Sequence, residues 1–242
     1  MNAAPWIVVG LLVLSAGARG FEAKDLARFE ENKSCTGCDL TGISMVGAKL
    51  AKVDLSRADL SRADLSRAYL AKAFLDKAIL RDARLSEVTL ILADLRNSDL
   101  RGADLSGGRL MLANFAGADL GRADLSGANF NSANLTGSRL TGADLRRADL
   151  SRAELVRADL REARLAGAYL AHGSLARADL RKADLAGATL LYSDLKGADL
   201  RGARFPGARM ATARNLKQAQ LDLACGDAQT ALPKGLTIPL CR

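Results

Sequence analysis

The sequence predicts an all-β solenoid, wound from short strands that turn a corner every five residues. Three observations carry that expectation. From Cys35 to Met210 a five-residue beat recurs without insertion, in roughly thirty-six units. Leu, or Met45, Phe115, Phe130, Phe205 or Met210 in its place, falls on nearly every fifth residue, and a small residue, usually Ala, stands two positions before it. The period excludes the other regular structures. Five residues at about 100° each advance the apolar position by about 140° net, so Leu would spiral around a helix instead of lining one face. A long strand fails as well, because a spacing of five puts successive Leu on opposite sides of a period-two ribbon.

With Leu called position i, the geometry that fits is a three-residue strand. The small residue at i−2 and Leu at i point inward, and the residue between them points out. Positions i+1 and i+2 turn the corner. Stacked coils then pair each strand with those above and below it.

The chain divides into four expected segments. Residues 1–20 read as a signal peptide: an apolar run from Trp6 to Leu14, then small-x-small sites at Ala16-Gly17-Ala18 and Ala18-Arg19-Gly20. The run is short of the roughly 20 apolar residues that span a bilayer, so cleavage is expected, with retention as an anchor the alternative. Residues 21–34 read as a short amphipathic helix, with Phe21, Leu26 and Phe29 on one side, covering the open end of the first coil. Residues 35–210 are the array. Residues 211–242 form a C-terminal cap in which one extra residue after Met210 slips the phase, so that Leu216 and Leu221 lead a shifted pair of units.

Written as A-[D/N]-L-x-x, in runs such as Ala58-Asp59-Leu60 and Ala63-Asp64-Leu65, the units over 35–210 resemble the pentapeptide-repeat family. The resemblance implies a right-handed quadrilateral β-helix with four five-residue sides per coil. About nine coils at a strand spacing of about 4.8 Å would make a rod roughly 43 Å long. Residues 20 apart then stack into ladders, and each side can be read separately.

Three sides carry Asp at i−1, as in Asp59, Asp119, Asp159 and Asp199, with Gly or Arg at the corners. Gly suits a corner because it tolerates positive φ. Arg57, Arg62, Arg67, Arg147, Arg152 and Arg157 are expected to offset the Asp ladders. The fourth side, centred on Leu50, Leu70, Leu90 and their successors, differs. Its outward positions include Tyr69, Ile91, Leu92, Met111, Leu112, Tyr169, His172, Leu191 and Tyr192. Exposed apolar residues that cluster mark an interaction surface or a dimer seam, unless the corners tuck them inward.

Four cysteines lie two at each end, and an even count behind a signal peptide suggests disulfides in an oxidising compartment. Cys225 and Cys241 are expected to bridge. Cys35-Thr36-Gly37-Cys38 falls on the Leu and Ala positions, so both thiols read as core residues, packed or locally bridged; thiol redox chemistry is the alternative. His172, the one His of the chain, has no second ligand at metal spacing, and no metal or cofactor is expected. Asp recurring in every turn of a rod without a cavity reads as structural, so no catalytic residue is expected.

The net charge is +8, and about +7 once Arg19 leaves with the signal peptide. The expected function is a non-enzymatic, exported scaffold, periplasmic or secreted, that binds a protein or a cell-surface component without inserting in the membrane. Polyanion binding, to anionic lipid or polysaccharide, has the right sign of charge, but no all-basic side stands out. The family resemblance also raises DNA mimicry, since some members resemble duplex DNA and bind topoisomerases. A basic exported chain argues against that, and nucleic acid is not an expected partner.

Overall fold

The computed structural model describes residues 23–242; the expected signal peptide, 1–20, and Phe21 of the expected helix lie outside the described residues. Parallel bridges join residues 20 apart along the array, so each coil is four five-residue sides. Ser34, Asp54, Phe74 and Asp94 begin one such ladder, which continues in steps of 20 to Asp194 and Arg214. Each side contributes one bridged residue per coil, at position i−1, and the sides are named here by their Leu columns: Leu60, Leu65, Leu70 and Leu75.

The backbone N–H groups of one unit show why the sequence winds this way. The Asp59 N–H donates to the Cys38 carbonyl of the coil below (2.8 Å), and the Leu60 N–H to Ile79 of the coil above (2.7 Å). The Arg62 N–H donates upward to Arg81 (2.8 Å), and the Ala63 N–H closes the turn on the Leu60 carbonyl (3.0 Å). The third residue of that turn, Arg62, has φ +59°, the left-handed value that a type II turn requires. That leaves the i+1 N–H, and the Asp side chain takes it: Ser61 N–H donates to Asp59 Oδ1 at 2.9 Å. All five N–H groups are satisfied, as interior backbone must be.

Asn serves the same turn. The Ala116 and Thr136 N–H groups donate to Asn114 and Asn134 Oδ1 at 3.1 and 3.0 Å. Where Asp and Asn interchange in the repeat, what they share is an acceptor for the i+1 N–H, and charge is not needed for that bond.

The Leu and small-residue columns fill the axis of the coil, and Cys35, Leu60, Phe115, Phe130 and Met210 are all buried there. Ser98, Ser138 and Ser193 replace Ala in the small column. Each donates its hydroxyl to the carbonyl three residues back, at 2.6 to 2.8 Å, so the core holds no loose polar group at these positions.

Both ends are closed. Helix α1 (Ala23–Asn32) packs Phe29 on the core. Its Asp25 Oδ2 accepts the Asp39 N–H at 2.9 Å, the bond that a preceding coil would otherwise take. At the other end Gln220 of α2 (Gln218–Leu221) donates to the Leu195 and Ala198 carbonyls. Asp227 Oδ1 accepts the Gly207 N–H at 2.8 Å, and Thr230 donates to the Phe205 carbonyl at 2.9 Å. No described helix is long and apolar enough to cross a membrane.

Two expectations are corrected. Leu216 and Leu221 do not lead shifted repeat units; the ladder continues in register to Arg214, and Leu221 is the buried residue of α2. The slip takes the chain out of the ladder through α2, and pairing resumes in a shifted register, with Arg204 bridged to Cys225 and Arg209 to Ala231, 21 and 22 residues apart. The second concerns charge. Arg57, Arg62, Arg67, Arg147, Arg152 and Arg157 make no ion pair among the described residues. The pairs on Asp come largely from position i+1, as in Arg96–Asp94 (2.6 Å) and Arg161–Asp159 (2.7 Å). The reason is local: the i+1 N–H already sits on the carboxylate, so an Arg side chain there starts beside its partner.

Candidate interaction face

The Leu70 side is built like the others but decorated differently. Its i−1 ladder runs Lys49, Tyr69, Thr89, Arg109, Asn129, Asp149, Tyr169, Thr189, Arg209. Only Asp149 is acidic, and its Oδ1 is used on the Ser151 N–H at 2.9 Å. The corner that follows carries no Gly at i+2. Leu92, Leu112, His172 and Tyr192 stand there at φ +59°, +59°, +61° and +60°.

Of the residues singled out in the sequence, the structure separates two groups. Tyr69, Leu92, Leu112, Tyr169, His172 and Tyr192 are exposed, Leu92 by 48%, Leu112 by 54% and Tyr192 by 49%. Ile91, Met111 and Leu191, at i+1, are half-buried, because that position leans against the coil while i+2 projects from it. The i+2 column is therefore the projecting ridge and the i+1 column its flank. On the ridge His172 and Tyr192 stack one coil apart, with ring centroids 4.9 Å apart and planes 13° from parallel.

The ring of residues that sequence reasoning missed is cationic. Lys49, Lys52, Lys72, Arg109, Arg152 and Arg209 all lie on the Leu70 side or its following corner and are exposed. None of them makes an ion pair among the described residues. The 20-residue register placed them in the same columns as the apolar residues, but charge counted over the whole chain hides a local excess. Phe74, 52% exposed, was also missed; it replaces Asp in the ladder of the neighbouring Leu75 side.

The other sides have little chemistry to offer. Their carboxylates are committed to backbone N–H groups and to Arg. The Asp94 carboxyl is held below its ordinary value by the Arg96 guanidinium, which outweighs the opposing effect of burial. At Asp99 burial pushes upward, but hydrogen bonds from Arg101 and Arg81 win and lower it to about 2. Such groups are fixed anions, far from the neutral range where general acid–base catalysis works. Among the described residues no group of three or more His, Cys, Asp and Glu side chains is placed to hold a metal ion.

The cysteines are bridged in pairs at each end. Cys35–Cys38 has Cα atoms 5.3 Å apart, and Cys225–Cys241 has them 4.8 Å apart. Cys35 and Cys38 are 0% and 1% exposed, which closes them to the attacking thiolate that exchange requires.

Comparison with known proteins agrees with this geometry. The family model for pentapeptide repeats matches in eight copies, over residues 34–67, 63–102, 78–117, 93–131, 109–147, 128–167, 163–202 and 178–214. Among solved structures the chain is similar to HetL from the cyanobacterium Nostoc sp. strain PCC 7120, described as a pentapeptide repeat protein involved in heterocyst differentiation regulation. The two are 33% identical, the match covers 87% of this chain and 99% of HetL, and the TM-score is 0.60. A trypsin-treated form of QnrB1, described as a plasmid-mediated fluoroquinolone resistance protein, matches at 22% identity, over 66% of this chain and 84% of that one, with a TM-score of 0.58. That likeness shows the fold alone. No curated protein matches the chain.

Proposed function

The chain belongs to the pentapeptide-repeat family, and from that premise we propose that it is a non-enzymatic, exported scaffold whose binding surface is the Leu70 side. Its coil is the family's right-handed quadrilateral β-helix, of about nine turns. The observation that carries the reading is the exposed ridge of Leu92, Leu112 and Tyr192 on a rod whose other sides are occupied by self-paired Asp and Arg. A cluster of exposed apolar side chains on one side of a rigid rod supports recognition of a protein or a surface component.

Export is supported by the apolar run at Trp6–Leu14 and by the disulfide at each end of the rod, which belong to an oxidising compartment. The DNA-mimic alternative asks for an acidic rod, and a net charge of +8 opposes it.

The test compares two baits in a pull-down from cell-envelope extract, soluble and membrane fractions together: the wild-type chain and the variant Leu92→Ser/Leu112→Ser/Tyr192→Ser. The variant is expected to lose material that the wild type retains. Recovery of the same material by both baits would remove the ridge as the binding surface.

A further inference from the structure

The Leu70 side differs from the other three in electrostatics as well as polarity. It carries six exposed cations, Lys49, Lys52, Lys72, Arg109, Arg152 and Arg209, against one carboxylate, Asp149, a local excess of 6 − 1 = +5. Elsewhere Arg and Asp are matched. The ion pairs of the array lie on the other sides or on the corners that follow them, as with Arg84–Asp64, Arg101–Asp99, Arg146–Asp144 and Arg201–Asp199. The protein neutralises three sides internally and leaves the apolar one positive.

That combination selects among occupants. A second copy on this side would oppose one set of six unpaired cations with another, and like-charge juxtaposition disfavours it. A protein partner of the usual kind meets a centre depleted of charge inside a polar rim. Here cations stand in and beside the apolar column: along the axis the i+2 column reads Lys52, Lys72, Leu92, Leu112, Ser132, Arg152, His172, Tyr192, and Arg109 flanks Leu112 in the adjoining ladder. The side is also uninterrupted. The bridges from Lys49↔Tyr69 to Thr189↔Arg209 step by 20 without an insertion, and eight steps of about 4.8 Å give a continuous strip about 38 Å long.

A long, continuous strip that mixes Lys and Arg with Leu and Tyr fits one surface well. At a bilayer interface long basic side chains reach headgroup phosphates, Tyr rings sit at headgroup depth, and short apolar tips enter the acyl boundary. We propose that the Leu70 side is a peripheral docking face for an anionic lipid bilayer. The inference rests on the reading above that this side is the binding surface, and it names what that surface meets. The cations supply attraction to anionic headgroups and the ridge of Leu92, Leu112 and Tyr192 supplies shallow insertion.

The test is co-sedimentation of the full chain with vesicles of phosphatidylcholine alone and with about 30% phosphatidylglycerol, for the wild type and for Lys52→Gly/Lys72→Gly/Arg152→Gly. All three positions have positive φ (+61°, +59° and +60°), and Gly holds the equivalent corner at Gly102 and Gly142, so the variant keeps the coil, as its thermal transition would verify. The wild type is expected to bind the anionic vesicles selectively, and binding to weaken as salt rises from about 50 to about 500 mM. The variant is expected to bind on the order of a hundred-fold more weakly, since each basic residue at an anionic surface contributes roughly five-fold. Equal binding by wild type and variant, or equal binding to both vesicle types, overturns the proposal, because the contact would then lie elsewhere on the chain. A wild-type dimer that the variant dissolves also overturns it, in favour of a second copy. No vesicle binding, with the ridge variant still losing a partner in the pull-down, overturns the lipid inference and leaves the binding surface standing as a protein site. Failure of both experiments removes both readings.

Discussion

Arg181 stands between two carboxylates of one ladder, donating to Asp179 of its own coil at 2.6 Å and lying 3.7 Å from Asp199 of the next. Arg161 does the same one coil earlier, at 2.7 Å from Asp159 and 3.7 Å from Asp179. The Asp column of the Leu60 side would be a like-charge stack on its own. With Arg at i+1 it becomes an alternating network that ties successive coils together. Exposed pairs contribute about 0–1 kcal/mol each, more where several share one network. Arg181→Ala, which breaks two contacts at once, is therefore expected to destabilise by about 1 kcal/mol, a fall in Tm of about 2–4 °C for a chain of this size. Screening should shrink the difference in about 1 M salt. A Tm difference that does not depend on salt would place the effect in packing of the Arg stem.

Asp104 holds the Ser106 N–H at 2.9 Å and makes no ion pair among the described residues, so it isolates the turn role from the charge role. Asp104→Asn keeps the acceptor, as Asn114 and Asn134 do naturally, and should change stability by less than about 0.5 kcal/mol. Asp104→Ala leaves the N–H without its acceptor and should cost about 1 kcal/mol. Chemical denaturation of the two variants checks the order. If Asn proves as costly as Ala, charge matters here and the acceptor argument fails.

Acid should weaken the coil in a defined window. The Asp94, Asp99, Asp144, Asp159 and Asp199 carboxyls are all held below their ordinary value of 3.8, Asp99 at about 2. A depressed folded-state value means stability that is complete above the unfolded value and lost as pH falls through the folded one. Tm is thus expected to be level from about pH 7 to 5 and to drop between about pH 4 and 2. Asp99→Asn should flatten part of that drop. A Tm that falls already above pH 5 would point to other groups.

Legibility in the sequence followed the kind of interaction. The Leu and Ala columns were readable because burial at a fixed register depends only on residue identity, and Cys35 and Cys38 fell into the same columns. The Asp–backbone bond was hidden, although interchange of Asp and Asn at i−1 was a visible hint that their shared acceptor, not their charge, is what the turn uses. Ion-pair partners were misassigned to i+2 because both corner positions look alike in sequence, and only the backbone conformation separates them. Helix α2 spans four residues, too few for any period to show. The cations of the Leu70 side were legible by the same arithmetic as Leu92 and Leu112, once charge is counted by column.

The two disulfides should differ in lability. Cys225–Cys241 closes a loop of about 15 residues and is half-buried, whereas Cys35–Cys38 spans three positions and is buried in the first coil. Mild reductant on the native chain is expected to open Cys225–Cys241 first, with Cys35–Cys38 reduced only on unfolding. Alkylation followed by mass spectrometry reads this directly. In the chain-entropy account loss of the longer loop costs about 3 kcal/mol and that of the short one much less. Equal reduction rates would show that the first coil opens readily and that α1 is a weak cap.

The ridge itself gives the last prediction. Leu92 and Leu112 hold φ +59° with their side chains about half exposed, in a position that Gly fills at some of the other corners, such as Gly102 and Gly142. An L-residue in that conformation costs roughly 1–2 kcal/mol, and Gly avoids it at an entropic cost of roughly 0.5–1 kcal/mol. Neither Leu gains much burial in return. Leu92→Gly/Leu112→Gly is accordingly expected to hold or raise stability, by about 0.5–1 kcal/mol per site, or a rise in Tm of a few degrees. The same variant should lose binding through this side. A protein that becomes more stable as it loses its surface contact keeps those residues for the contact, since a site selected for folding alone would not carry them. If the double variant instead loses stability, the Leu side chains pack on the i+1 flank of Ile91 and Met111, and the ridge is part of the scaffold.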